Sequence, residues 1–197
     1  MLIKIMLPYL GDRVYIHGTT LYEVLVSDIK RFSALEFQLK KPIFSNEVEI
    51  YHNNGWEAPV DINAVLFYED GHNKYCKYVY EGMQKNEKLR IIYDESEDLF
   101  CLEKSFDKIK ILSSPYNFVK TIVCVNKILL SKNLVAGQFF LFTSLSLSKN
   151  ICLETNKQLI LKFRQRLGDF FYTDILLEQE KIGVLGFKRN EKERFIK

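Results

Sequence analysis

Six cations in the second half of the chain have the residue types and spacing that bind phosphate groups. Lys120 and Lys127 stand seven residues apart, which places both on one face of a helix. The others follow within forty residues: Lys157, Lys162, Arg164 and Arg166. A groove lined by such side chains neutralises phosphates and binds nucleic acid in a salt-dependent way. The alternative is that these cations lay their alkyl stems over apolar surface and keep their charged heads in water.

The distribution of acidic residues favours the first interpretation. Residues 108–153 contain no Asp or Glu, and residues 108–166 contain only Glu154 against ten Lys and Arg. Residues 1–100 carry a net charge of −5 and residues 101–197 a net charge of +8. Such asymmetry between halves is a hint of an acidic partner such as DNA or RNA. Lys outnumbers Arg by 21 to 7, which an A/T-rich genome would also produce.

A second group of candidate residues is aromatic and lies near two predicted turns. Trp56 follows Gly55 directly, and Tyr51, Tyr68 and Tyr78 occupy neighbouring strand-like runs. Exposed Trp and Tyr are the residues that most often anchor protein interfaces. We therefore consider a protein-interaction surface at these four residues, against the alternative that they pack across strands of one sheet.

Metal and catalytic chemistry have little support. His72 and Cys76 share a strand face and His52 lies in a nearby turn, but paired short ligand spacings are missing, so we expect no metal. The acidic run Asp94–Asp98 has no EF-hand spacing and is expected to be a solvated loop. The sequence has no nucleophile elbow, P-loop or dinucleotide fingerprint. We expect a non-enzymatic protein without a cofactor, although catalytic residues from distant strands would leave no trace.

The first 112 residues read mainly as short strands. Ile3, Ile5 and Leu7 alternate with other residues, and Leu21–Val26 is a β-rich run. Two turn signals, Asn54-Gly55 and Asp70-Gly71, predict hairpins. Ser27 is a candidate cap for a short helix, although the following residues alternate equally well as a strand. The pattern is typical of an antiparallel sandwich or a partly open barrel.

The remaining residues, 113–197, read as more helical and basic. Ser114-Pro115 is a helix start, and Phe118, Ile122, Val125 and Leu129 fall on one helical stripe. Thr155 is a candidate cap for a second helix with these apolar residues on one side: Leu159, Phe163, Leu167 and Phe170. The predicted fold class is α+β, with a β-rich antiparallel part over residues 1–112 packed with a more helical part over residues 113–197.

The compartment follows from cysteine usage and hydropathy. Four cysteines lie far apart within apolar stretches, as expected of reduced core thiols in the cytoplasm: Cys76, Cys101, Cys124 and Cys152. The N-terminal apolar segment is too short for a signal peptide, and the longest apolar run, residues 139–147, is too short to span a membrane. The function predicted first is binding of nucleic acid or another polyanion through the basic C-terminal surface. The alternative is an inhibitor, immunity or assembly protein that uses the aromatic hairpins around Trp56.

Overall fold

The computed structural model describes residues 2–133, 139–149 and 158–190. These residues divide into two compact units, residues 2–94 (unit 1) and residues 95–190 (unit 2). The described residues of each unit form one α-helix and an antiparallel sheet.

Unit 1 contains eight regular elements. In chain order they are β1 (Leu2–Met6), β2 (Tyr9–Leu10), α1 (Gly18–Val26), β3 (Ala34–Leu39), β4 (Glu47–Asn54), β5 (Ala64–Asp70), β6 (Asn73–Glu81) and β7 (Arg90–Ile91). Five strands form an antiparallel sheet in the order β1-β4-β6-β5-β3. Strands β2 and β7 form a separate parallel pair.

Register fixes which side chains share a face of the unit 1 sheet. Residues paired across antiparallel strands point to the same side. Ile3 pairs with Ile50, and His52 pairs with Lys77. We call this side the inner face, since it packs against α1; its members include Ile3, Ile5, Ile50, His52 and Lys77.

The helix α1 occupies a segment for which the sequence predicted a strand. His17 caps its N-terminus with an extended backbone, and its Nδ1 accepts from the Thr19 amide. Ser27, predicted to begin a helix, instead ends this one. The prediction failed because it relied on the β-rich composition of the run. The buried residues Leu21 and Leu25 are four residues apart, which is the spacing of one helix face. Burial of both residues under the sheet then selected the helix.

The described residues of unit 2 form seven regular elements after a 3-10 turn at Glu97–Leu99. They are β8 (Cys101–Lys104), β9 (Lys108–Ser113), α2 (Phe118–Asn133), β10 (Phe139–Leu147), β11 (Leu159–Leu167), β12 (Phe170–Leu177) and β13 (Glu180–Asn190). The strands form an antiparallel sheet in the order β10-β13-β12-β11-β9-β8. The helix predicted after Pro115 is confirmed as α2, and residues 121–126 are buried all round.

The predicted α+β class with a helical C-terminal part is wrong. The stretch expected to form a second C-terminal helix is the β11–β12 hairpin, which turns at Gly168 with φ +61°. Apolar residues at 159, 163, 167 and 170 mimic helical spacing, but Leu159 and Leu161 are the buried pair of an alternating strand. The candidate cap Thr155 lies outside the described residues.

The two turn signals in unit 1 had different outcomes. The Asp70-Gly71 hairpin is confirmed, because Asp70 pairs with Asn73 and Gly71 has φ +62°. The Asn54-Gly55 hairpin is wrong, since β4 pairs with β6 and the chain runs without a strand from Gly55 until Ala64. Within the residues that the structure describes, no helix is long and apolar enough to cross a membrane.

Close packing in the unit 2 sheet generates a stability prediction. A Cβ on Gly183 would collide with the backbone carbonyl of Ser146 and come within 2.9 Å of Leu147. We expect Gly183→Ala to lower the free energy of unfolding by about 1–3 kcal/mol, because a backbone atom cannot rotate away. Urea denaturation measures the loss.

Gly186→Ala is the matched control for this substitution. Its Cβ would meet the Ser144 hydroxyl, which can rotate, so the loss should be smaller. Equal losses for the two variants would contradict the close-contact explanation.

Candidate functional site

The most unusual side chain in unit 1 is a lysine buried between the helix and the sheet. Lys77 lies near the middle of β6 on the inner face, and its side chain is only 6% exposed. Buried ammonium groups are rare unless they are paired and hydrogen-bonded. The Lys77 ammonium therefore needs hydrogen-bond acceptors at this position.

Two acceptors at the C-terminal end of α1 meet this demand. The Nζ of Lys77 donates to the Leu25 carbonyl at 2.7 Å and to the Asp28 carboxylate. Carbonyls in the last turn of a helix lack helical partners and carry the negative end of the helix dipole. An ammonium has three N–H donors, and among the described residues these are its two hydrogen-bond acceptors; Nζ also lies 6.0 Å from the centroid of the Tyr68 ring.

The Asp28 carboxylate contacts both Lys77 and the solvent. Its side chain is 60% exposed. Burial would raise the pKa of Asp28, but the hydrogen bond and the charge of Lys77 outweigh that effect and hold the pKa below its ordinary value. The Asp28 carboxylate is therefore ionised at neutral pH.

His52 lies beside Lys77 on the neighbouring strand. Its Nε2 is 3.4 Å from the Tyr68 hydroxyl, and the Tyr75 ring packs against it with centroids 5.9 Å apart. Burial and the positive charge of Lys77 lower the pKa of His52, and Asp28 only partly opposes them. The imidazole is therefore neutral at pH 7 and able to accept a proton.

These polar groups line one part of a cavity in unit 1. Its volume is about 210 Å³, and Ser27 and Asp28 contribute to its rim along with His52 and Lys77. The other walls are aliphatic and come from β1, α1 and β4: Ile3, Ile5, Val24, Leu25 and Ile50. An apolar cavity with a few convergent polar groups is the usual form of a small-molecule site.

The arrangement combines a cation, a neutral base and apolar walls. The ammonium can bind a carbonyl oxygen or the oxyanion that develops from it, and the imidazole can remove a proton from water. Within the described ranges no three His, Cys, Asp or Glu side chains cluster as metal ligands.

The structure separates the cations predicted to bind nucleic acid. Lys120 and Lys127 lie on α2, where Lys127 pairs with Glu95 at 2.6 Å. Lys162, Arg164 and Arg166 lie on β11 instead of a helix. Lys157 lies outside the described residues.

A bulge in β11 prevents its cations from sharing one surface. Lys162 pairs with Asp174, whereas Arg166 pairs with the buried Phe171, and adjacent β12 positions alternate in burial. Lys162 and Arg166 therefore point to opposite faces of the sheet. Arg164 lies at the bulge, where the register shifts between Phe163 and Gln165. Its Nη1 is 3.9 Å from Oδ1 of Asp174.

The aromatic residues predicted to bind a protein also divide between two faces. Tyr51 and Tyr78 stack in parallel on the outer face, with centroids 5.2 Å apart. Tyr68 is buried on the inner face beside His52. Trp56 is 44% exposed, packs on Phe67 and is covered by the Lys74 ammonium at 4.5 Å.

Exposure, burial and ion pairs describe the surroundings of the remaining candidates. His72 is exposed in the β5–β6 turn, while Cys76 is fully buried and burial raises its pKa to about 11. In the acidic run, Glu95 pairs with Lys127 and Glu97 with Lys104. These carboxylates are held by cations of their own unit.

Sequence reasoning missed Lys77 and Asp28 and mentioned His52 only as a metal ligand. One signal was present: Lys77 interrupts an otherwise strongly apolar and aromatic run, Tyr75–Tyr80. The contact between Lys77 and the end of α1 joins residues 49 to 52 positions apart, which no local pattern reports.

Comparison with known proteins gives only distant likenesses. No family model matches the chain, and no curated protein matches it. The tesB protein of Mycobacterium avium subs paratuberculosis has 9% identity and a TM-score of 0.49, covering 90% of this chain and 88% of that one. The 12:0-ACP thioesterase of Umbellularia californica has 7% identity and a TM-score of 0.49, covering 98% and 97%. The erythromycin dehydratase has 10% identity and a TM-score of 0.48, covering 95% and 89%. Scores below 0.5 at such identities assign no activity to this chain.

The placement of the candidate residues corrects both predicted functions. The cations of the proposed polyanion surface lie on different elements and faces, and those of β11 do not converge. The aromatic residues of the proposed interaction module are divided between the two faces of one sheet.

The buried lysine generates a second stability prediction. Lys77→Met leaves the Leu25 carbonyl without its partner, so we expect the free energy of unfolding to fall by about 1–3 kcal/mol. Urea denaturation at neutral pH measures the change.

Lys74→Met supplies the comparison on the same strand. Lys74 is 55% exposed and only 3.6 Å from Glu69, so its loss should cost less than about 1 kcal/mol. If both lysines proved equally dispensable, Lys77 would not be the organising contact of the site.

Proposed function

We propose that unit 1 hydrolyses a small acyl ester or thioester in the cavity beneath α1. The observation that carries the proposal is the buried Lys77 ammonium, which has an N–H to spare and shares the cavity with a neutral histidine. In this arrangement Lys77 binds the carbonyl oxygen and His52 activates water.

The reaction follows from the two roles. Water attacks the carbonyl carbon while His52 takes a proton from it, and the negative charge that forms on the carbonyl oxygen is stabilised by Lys77. The tetrahedral intermediate then expels the alkoxide or thiolate, which receives the proton from the imidazolium. The products are a carboxylic acid and an alcohol or thiol, and His52 returns to its neutral form.

The surroundings keep both groups in the required charge state. Asp28 balances the charge of the ammonium and so offsets part of the cost of burying it. The Tyr68 hydroxyl, 3.4 Å from Nε2, orients the imidazole, and burial raises the pKa of Tyr68. The aliphatic walls lower the local dielectric constant around the ammonium, and electrostatic stabilisation of an oxyanion is stronger in such surroundings.

Replacement of His52 tests the proposed base. We expect His52→Gln to lower kcat for a hydrolysable short-chain thioester by about 10²–10⁴-fold, because general-base catalysis contributes that much. In the unchanged protein kcat/KM should fall on the acid side with an apparent pKa below 6.5, since the pKa of His52 is lowered. Asp28, whose pKa lies below its ordinary 3.8, stays ionised throughout that range.

The exposed His72 provides the control, because it lies in a turn and not in the cavity. His72→Gln should retain both the rate and the acid limb. Hydrolysis that survives in His52→Gln with an unchanged pH profile would remove His52 from the mechanism, and the absence of hydrolysis in the unchanged protein would overturn the proposed activity.

A further inference from the structure

The cavity of unit 1 has a polar end and an apolar end, and they follow the direction of the strands. At one end, His52 of β4 lies directly opposite Lys77 of β6 in the strand register. Two residues further along β4 stands Ile50, which pairs with Ile3 of β1. Ile5 lies two residues beyond Ile3 on β1, in the direction away from His52. Ile5 is therefore the cavity-lining residue of β1 that is most remote from His52.

We infer, on the basis of the proposed hydrolysis, that the acyl chain lies along β1 and that Ile5 limits its length to about six carbons. The carbonyl is at Lys77 and the terminal methyl is at Ile5. A volume of about 210 Å³ holds about seven heavy atoms if each takes the roughly 30 Å³ of a water molecule. A hexanoyl group has that size.

The walls between these ends select an aliphatic chain. Ile3, Ile50 and Val24 offer hydrocarbon along the path and no hydrogen-bonding side chain. Burying one methylene is worth a factor of about four in affinity. Each added carbon should therefore improve binding until Ile5 is reached.

The charges at the polar end select an uncharged acyl compound over its free acid. Lys77 is already neutralised by Asp28, and His52 is neutral. A carbonyl oxygen needs only the remaining N–H of Lys77, whereas a carboxylate would place a second anion next to Asp28. The acid product should therefore bind more weakly than the substrate.

Chain-length profiles of three proteins test the inference. S-ethyl thioesters of straight-chain acids from two to ten carbons are the probes, and kcat/KM is the readout. In the unchanged protein kcat/KM should rise about fourfold per carbon up to about six carbons and then stop rising. Ile5→Ala should move the maximum by about two carbons to longer chains, since it removes three carbon atoms from the far wall.

Met6→Ala is the control, because Met6 neighbours Ile5 on the opposite face of β1 and should leave the maximum in place. Ile5→Phe should move the maximum to shorter chains, which protects the test if Ile5→Ala folds poorly. Hydrolysis whose chain-length profile is the same in all variants would overturn the length limit and leave the proposed activity standing.

Binding of straight-chain primary amides from four to ten carbons separates the inference from the chemistry. These amides are uncharged carbonyl compounds, and calorimetry measures their affinity without turnover. If thioesters are not hydrolysed, the same maximum at about six carbons and its shift in Ile5→Ala would support the site. No amide binding, or hexanoate binding as tightly as hexanamide instead of roughly tenfold more weakly, would overturn the inference.

Discussion

The structure of unit 1 depends on the contact between one ammonium group and the end of one short helix. Lys77 reaches from the middle strand of the sheet to the Leu25 carbonyl, and Asp28 closes the contact from the solvent side. An unpaired charge at this depth would cost several kcal/mol. The position of α1 on the sheet and the charge state of the site are therefore fixed by the same interaction.

The properties of the neighbouring groups follow from this contact. Burial, together with the positive charge of Lys77, keeps His52 neutral, and the hydrogen bond from Lys77 keeps Asp28 ionised. The cavity thus contains a base, a cation and a counterion within one layer of the helix–sheet interface. The edge strand β1 supplies Ile3 and Ile5 as its outer wall, and Ile3 is 44% exposed, so the cavity is open at this edge.

Several elements could be predicted from local pattern, and others could not. Alternation in β1 and the Asp70-Gly71 turn act over a few residues, and both predictions were confirmed. The hairpin of β11 and β12 was mistaken for a helix because its apolar spacing fits both periods and only pairing with β9 and β13 selects the strand. The site itself could not be predicted from local pattern. Strand register places His52 beside Lys77, and the packing of α1 brings Leu25 and Asp28 to Lys77.

NMR titration measures whether Lys77 and His52 together hold an acyl carbonyl. Hexanamide is added to protein labelled at lysine and histidine side chains. We expect saturable shifts of the Lys77 Nζ and the His52 imidazole at one common affinity, with His72 and Lys74 unchanged. Shifts confined to exposed side chains, or saturation without any change at Lys77, would contradict this joint binding.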